Sequence, residues 1–356
     1  MQRRKVTISD VARRAKVSVG TVSHVLTGNT PVTAKRRKRV ELAIEQLGYV
    51  PNVHAQGLRQ TRSNLVGICF PHATTSYLND LSEALERIAM EGGYGIMHVF
   101  SRHDPVIEFR RIRELMRYQV DGLILFPSSA PEPSLDFAHA KGLPLVLVDR
   151  PSDDLRFDAV MLDNRKVMRE AVRRLIELGH RRLLFVCRSS ELLVTQHRIE
   201  GLQAALRAAP ATMRVGMLEI RDDEVAFARN LATALEGPSA PTAIVASNSH
   251  QASLVLGKLH ELGVRVPEAV SMLTFDDPEW ARLVQPELSV IRQPTATLAQ
   301  AAWDLLMRRI TRSAKAPESI ALEAAIEFRA SVAAPPTERR DSRRSTAGDR
   351  AGSRSR

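Results

Sequence analysis

Val19, Gly20, Ser23 and His24 stand at i, i+1, i+4 and i+5, so on a helix they share one face. Their chemistry suits the edge of a base pair. A valine methyl can touch a thymine methyl, a histidine can hydrogen-bond a purine edge, and glycine presents nothing to read with. Thr21 and Ser23 suit phosphate contact or packing. Five consecutive cations follow, Lys35, Arg36, Arg37, Lys38 and Arg39. Cations of this kind supply affinity for a phosphate backbone, while side chains at base edges supply sequence choice.

The elements that must position these residues are legible. Thr7 followed by Asp10 is a capping pair that opens a helix. Ile8, Val11, Ala12 and Ala15 then give it one apolar face. Lys16 and Val17 break the pattern, and Ser18 is placed to cap a second helix, whose apolar side is Val22, Val25 and Leu26. Gly28 and Asn29 end it. Two short helices packed around small residues form a helix-turn-helix, which places its second helix in the DNA major groove. The same pattern also fits a plain helical hairpin. Thr7 and Asn29 are candidates for phosphate contact or for capping. A third helix is expected over 33–47, with Val40, Ala43, Ile44 and Leu47 on its apolar side, and a short helical candidate over 52–59. Lys16 occupies the turn, where a positive φ would cost about 1 kcal/mol for a residue other than glycine.

Charge is segregated along the chain. Of the net +11, residues 1–63 carry +10, residues 335–356 carry +4 and the remaining body carries −3. A basic head on a slightly acidic body points to a polyanion partner at the head. At 356 residues the chain is long enough for a small head and a two-lobed body. No apolar run approaches the ~18–20 residues needed to cross a bilayer, and no apolar signal region follows the basic N-terminus, so no membrane and no export are expected. Cys69 and Cys187 each lie in an apolar, strand-like run. They read as buried free thiols in a cytoplasmic protein, with no disulfide framework and no metal site.

From residue 64 the pattern becomes α/β. Apolar runs at 65–70, 95–100, 122–126, 143–148, 182–187, 243–246 and 270–275 alternate with amphipathic stretches at 79–90, 106–117, 165–178, 198–208 and 251–262. Continuous apolar strands separated by helices indicate buried parallel sheets, with functional loops at the carboxyl ends of the strands. Residues 335–356 contain no large apolar residue and read as a disordered basic tail.

The head resembles that of the lactose-repressor/galactose-repressor (LacI/GalR) family. The match runs ungapped over about the first 60 residues and rests on the segments DVA, VSVGTVSHVL and LGYVPN taken together. The body continues the resemblance with gaps, at VDGLIL (120–125), LVDR (147–150), LGHRR (178–182), FDD (275–277) and IRQP (291–294).

The resemblance implies a helix-turn-helix head over 1–50, a hinge helix and linker over 51–63, and a two-lobed periplasmic-binding-protein-like body over 64–334. Its first lobe would be about 64–162 with 293–321, and its second about 163–292 with 322–334. It further implies that the hinge orders in a homodimer on double-stranded operator DNA, with Leu58 wedged into the minor groove and Ala55 against it. His54 and Gly57 depart from the family pattern in that hinge, and Gly57 disfavours helix by about 1 kcal/mol. Carried over residue by residue, the resemblance nominates Tyr77, Asp149, Asp163, Asn164, Arg198, Asn248, Asp276 and Gln293 for a small-molecule effector. Such side chains provide the planar, often bidentate hydrogen bonding that vicinal sugar hydroxyls require. Ser249 stands where relatives usually have Asp, which leaves the ligand open. With aromatic residues at 4%, a carbohydrate is favoured over a stacked purine.

No cofactor is called for. The chain contains none of the patterns G-x-G-x-x-G, Walker A, G-x-S-x-G or H-E-x-x-H. Asp276 and Asp277 are adjacent, so on a strand they point to opposite faces. His180 reads as the partner of a helix end. An enzyme is therefore not expected. A transport solute-binding protein would lack the basic head, and a nonspecific architectural DNA binder would leave the body without a purpose. The expectation is a sequence-specific transcriptional regulator, a repressor on a near-palindromic site. A co-repressor-dependent regulator or an activator of the same architecture stays open.

Overall fold

The computed structural model describes residues 6–27, 31–49, 62–72, 75–149, 156–220, 223–311 and 315–336. Asn29, Ala55 and Leu58 lie outside the described residues, as do His54, Gly57 and the tail from 337. The chain divides into a unit spanning 1–64 and a larger one spanning 65–356.

The small unit holds α1 (Ile8–Ala15), α2 (Val19–Thr27) and α3 (Ala34–Leu47). Thr7 and Asp10 form the expected capping box. Thr7 Oγ1 accepts from the Asp10 N–H at 3.4 Å, and Asp10 Oδ2 accepts from the Thr7 N–H at 3.0 Å. Lys16 ends α1 in the left-handed region, with φ 49° and ψ 54°. The chain offsets that strain with a Schellman closure, in which the Val17 N–H donates to the Ala12 carbonyl at 3.0 Å. Arg39 adds a second fastening by donating to the Ala15 and Lys16 carbonyls. Ser18 Oγ accepts from the Thr21 N–H at 3.1 Å and so starts α2. Val11, Ala12, Ala15, Val22, Val40 and Ala43 are the buried core of this unit.

The large unit contains two six-stranded sheets. The first is built from β1 (Leu65–Phe70), β2 (Gly95–Phe100), β3 (Gly122–Leu125), β4 (Leu145–Val148), β5 (Asp158–Leu162) and β11 (Ser319–Leu322). Its order is β11-β5-β4-β3-β1-β2, and every pairing in it is parallel. Helices α4 (Ser76–Glu91), α5 (Pro105–Arg117), α6 (Glu132–Ala140) and α11 (Thr295–Ile310) belong to this half. The second sheet is built from β6 (Arg182–Cys187), β7 (Arg214–Glu219), β8 (Ala243–Ala246), β9 (Ser271–Phe275), β10 (Ser289–Arg292) and β12 (Ala325–Glu327), in the order β12-β10-β9-β8-β6-β7. Only β12 departs from the parallel pattern, pairing antiparallel with β10. Its helices are α7 (Asn164–Glu177), α8 (Leu193–Arg207), α9 (Glu224–Ala234) and α10 (Ser249–Glu261). The chain therefore crosses between the halves after β5, after β10 and after β11.

Both faces of the inner strands are buried, which is why those strands read as continuous apolar runs. In β3, Ile124 enters one core cluster while Leu123 and Leu125 enter the other. Cys69 and Cys187 are free and buried, and burial pushes both thiols up to about 12. α8 lies close on α7 because Gly201 has no side chain: a Cβ there would collide with the Arg165 carbonyl. His180 does not serve a helix end. It is buried, with Nδ1 3.0 Å from Thr242 Oγ1 and Nε2 2.9 Å from the Ala333 carbonyl oxygen, so it ties the start of β6 to the segment after β12. Among the described residues no helix is long and apolar enough to cross a membrane.

Candidate functional site

The small unit presents a polar surface on α2. Ser18, Val19, Gly20 and His24 are exposed, and Thr21 and Ser23 are half-buried. Val19 keeps more than a third of its surface in solvent. Gly20 is not required by packing. A Cβ there would meet nothing closer than Ser18 Oγ, at 3.7 Å. Its effect is to lower the surface, so that another backbone can approach. Thr7 is exposed at the start of α1, where its hydroxyl is occupied in the capping box. Lys35, Arg36, Arg37 and Lys38 are exposed on the first turns of α3, whereas Arg39 is turned to the end of α1.

The large unit contains a cleft of about 620 Å³, open mouth included, between the carboxyl ends of its two sheets. Tyr77, Asp149, Arg198, Asn248, Asp276 and Gln293 line it. Two carboxylates occupy matching places. Asp149 follows β4 and Asp276 follows β9, the third strand of each sheet order. Each has a positive φ, 66° and 71°, and each N–H bonds the neighbouring strand at 3.0 Å, to Val160 and to Ile291. Left-handed backbone at a non-glycine residue is strained. It turns both side chains out of the strand direction into the cleft.

The two carboxylates are supported differently. Asp149 Oδ1 accepts from the Tyr77 hydroxyl at 2.8 Å. Burial pushes the Asp149 carboxyl up to about 6, with the Tyr77 bond and Arg198 pulling against it. Asp276 accepts from Gln293 Nε2 at 2.7 Å and from the Ser249 N–H at 3.2 Å, and burial again raises its pKa. Arg198 lies between them. Its Nε donates to Asn164 Oδ1 at 2.8 Å, it donates also to the Ser247 carbonyl, and its guanidinium stacks 3.5 Å from the centre of the Phe275 ring. Burial lowers it to about 10, still charged at neutral pH. It is a fixed, stacked cation with polar N–H groups at a cleft lined by two carboxylates, an arrangement that selects ligands able both to donate and to accept.

Asp163 and Asn164 do not line the cleft. Asp163 caps α7 by accepting from the Lys166 N–H at 2.9 Å, and Asn164 positions Arg198. Asn248 lines the cleft while capping α10, its Oδ1 accepting from the Gln251 N–H at 3.1 Å. Asp277 does not line the cleft; it accepts from Arg329 at 2.8 Å. The structure also brings His72, His103, Arg188 and Thr195 to the cleft, residues that the sequence did not single out. His72 and Arg188 lie within two residues of a strand's carboxyl end, the one signal that would have found them. Among the described residues, no group of three or more His, Cys, Asp or Glu is placed to hold a metal ion.

Known proteins share both units. The family described as "Bacterial regulatory proteins, lacI family" matches residues 7–52, and a "Periplasmic binding protein-like domain" matches residues 172–332. The HTH-type transcriptional repressor PurR of Escherichia coli O139:H28 is 30% identical over 330 residues, covering 92% of this chain and 97% of that protein. The lac repressor dimer bound to operator and the anti-inducer ONPF shares the fold, with a TM-score of 0.81 at 23% identity over 93% of this chain and all of that one. A LacI family transcriptional regulator from Enterococcus faecium with bound ribose has a TM-score of 0.68 at 25% identity, covering 76% of this chain and 99% of that one. With a helix-turn-helix head, a two-sheet body and a full-length relative at this identity, the chain belongs to the lacI family of bacterial regulatory proteins and is a DNA-binding transcriptional regulator.

Proposed function

We propose that this chain is a repressor that binds a near-palindromic operator as a homodimer and is controlled by a carbohydrate held between the lobes of its body. One observation carries the effector reading: Asp149 from one lobe and Asp276 from the other converge with Arg198 on a single cleft. Paired carboxylates with a fixed guanidinium match the donor and acceptor pattern of vicinal hydroxyls. That a solved relative holds ribose supports the same ligand class.

In this reading the head is 1–50, the hinge 51–63, and the last crossing between lobes falls between Leu322 and Ala325. Val19, Gly20 and His24 read bases, while Thr7, Ser18, Thr21, Ser23 and Asn29 contact phosphates or hold the helices. Ala55 and Leu58 meet the minor groove. Tyr77, Asp149, Asn248, Asp276 and Gln293 bind the effector with Arg198, while Asp163 and Asn164 support the site from behind. The protein acts in the cytoplasm and performs no catalytic step. Effector binding changes the populations of two lobe arrangements, only one of which presents the heads correctly, and the coupling is reciprocal.

The test is genome-wide capture of DNA by the purified protein at two salt concentrations. A sharp near-palindromic site that survives the higher salt is expected, beside genes for sugar uptake or breakdown. Diffuse binding that vanishes with salt would refute sequence-specific regulation.

A further inference from the structure

Asp276 needs more support than an ordinary strand residue. Its φ of 71° is left-handed, and such backbone persists only where the surroundings over-determine it. Its own N–H bonds the Ile291 carbonyl on β10. The next residue, Asp277, supplies a second anchor, and its partner is Arg329.

Arg329 gathers several stretches of the second lobe. Its Nη2 donates to Asp277 Oδ2 at 2.8 Å, in the turn after β9. Its Nη1 donates to the Leu288 carbonyl at 3.0 Å, just before β10, and its Nε to Glu327 Oε1 at 3.0 Å, on β12. The planar fork lets one side chain meet three partners in fixed directions. The Arg329 side chain is only 5% exposed, and two of its three partners are carboxylates, which compensates its burial. The bond to Asp277 raises Arg329 above its ordinary value, and Arg329 in turn lowers Glu327.

The cluster also reaches Gln293, the donor to Asp276. Glu327 lies 3.3 Å from Arg282 and 3.7 Å from Arg292, and Arg292 is the chain neighbour of Gln293. Those two arginine side chains are 52% and 54% exposed, so their pairs contribute little. The buried Arg329 is the member that can fix geometry. A tie that only fastened β12 to its sheet would use Glu327 and Leu288, since β12 pairs with β10 and not with β9. The bond to Asp277 serves no such purpose.

We propose that Arg329, which does not line the cleft, is a positioning residue for the effector site: through Asp277 it sets the turn that aims the Asp276 carboxylate at the ligand. The inference rests on the carbohydrate reading of the cleft and adds to it a residue outside the lining.

The test is calorimetric titration of the full-length protein with ribose, glucose, galactose, fructose, maltose and cellobiose. It is repeated on Arg329→Lys, on Asp277→Asn and on the double variant, with a urea melt of each. Lysine keeps the charge but loses the fork, and asparagine keeps an acceptor but loses the charge. For a sugar that binds the wild type, each single variant is expected to weaken binding about tenfold, as loss of one charge-assisted hydrogen bond gives when the carboxylate turns. The double variant is expected within about threefold of the weaker single one, because both changes break the same contact. A purely structural tie lowers the melting midpoint and leaves the affinity of the folded protein where it was. Affinities within about twofold of the wild type in both single variants would therefore overturn the inference and keep the carbohydrate reading. Two single effects that simply multiply in the double variant would overturn it as well. If one single variant does not fold, the other decides. Binding of none of the six sugars by the wild type would overturn both readings.

Discussion

Removing the Asp276 carboxylate should uncouple the regulator from its effector while leaving it on its operator. In the free protein each carboxylate oxygen already has one donor, Gln293 Nε2 at 2.7 Å on one and the Ser249 N–H at 3.2 Å on the other. A bound diol then gains one further bond per oxygen. Hydrogen bonds to charged groups contribute about 1.5–3 kcal/mol each, and with both oxygens partly occupied we take the lower end for both, about 3 kcal/mol in all. Asp276→Ala should therefore raise the effector concentration for half-release of operator by about a hundredfold. The assay is fluorescence anisotropy on the captured operator, titrated with the sugar that binds the wild type. Operator affinity without effector should stay within about threefold, because the substitution lies in the large unit and α2 in the small one. Loss of the acceptor also exposes a folding cost, since Gln293, the Ser249 N–H and the buried Arg198 each lose a partner or a counter-charge. Asp276→Asn separates the two effects: its amide oxygen still accepts from Gln293, while the charge is gone. Half-release by either variant within about threefold of the wild type would refute the assignment of Asp276 to the effector.

Other outcomes follow from the same geometry. Because burial holds Asp149 near 6, its carboxylate is ionised at pH 7 and mostly protonated at pH 5, so effector affinity should fall about tenfold between them. The raised value has the opposite sign for folding. Its stabilising contribution is present at low pH and lost as pH rises through about 6, so the unliganded body should not lose stability from this group on acidification. Affinity that is flat from pH 5 to 7 in calorimetry would exclude Asp149 as a hydroxyl acceptor. Gly20→Gln should leave the fold intact, or stabilise α2 by about 1 kcal/mol, yet change the captured operator sequence; an unchanged consensus site would remove Gly20 from the DNA surface. Gly201→Ala should lower body stability by about 1–3 kcal/mol in urea melts and weaken effector binding, because α8, which carries Arg198, must move off α7. An unaffected melt would show that this close approach relaxes without cost.

What the sequence revealed tracks how strongly each element was constrained locally. The head was legible almost residue by residue, since Thr7, Asp10 and Ser18 are caps whose partners lie three positions away. Most inner strands were legible because burial on both faces leaves LVGICF and the LLFVC of β6 without a polar residue, whereas the inner strands β5 (DAVML) and β10 (SVIR) are shorter, open on a polar residue and were not among the expected runs. The edge strands other than β2 were not legible. β7 (RVGMLE) is exposed or half-buried along its whole length, β11 (SIAL) alternates between the two, and β12 spans three residues. α6 opens on Glu-Pro, which reads as a turn until a helix accepts the proline in its first turn. The site divides in the same way. Asp149 and Asp276 were reached through resemblance, and their positive φ, which aims them, has no signature in a single sequence. His72 and Arg188 gave only the weak signal of lying just past a strand, and His103 gave less, because their meeting depends on two separate sheets. Asp163 had been nominated for the ligand, but its capping role sits three residues ahead in Lys166 and is the more local explanation.

The matched sheets explain why one small molecule can govern the whole body. Each lobe offers a carboxylate after the third strand of its sheet, held by a backbone bond to the next strand, and three chain crossings join the lobes behind the cleft. Across the mouth, the Ser76 hydroxyl donates to Ser249 Oγ at 3.2 Å, joining the first turns of α4 and α10. One neutral hydrogen bond contributes only about 1 kcal/mol, so such a contact biases the lobe arrangement weakly. A ligand that bridges Asp149 and Asp276 adds several bonds, some of them charged, that exist only when both lobes reach it. That difference between arrangements, rather than affinity as such, is what shifts a population. A ligand held by one lobe alone would bind without signalling. In a variant that keeps Asp276 and loses Asp149, effector should therefore bind with reduced affinity and, even at saturation, fail to release operator. Full release at saturation would show that the second carboxylate adds affinity and not coupling.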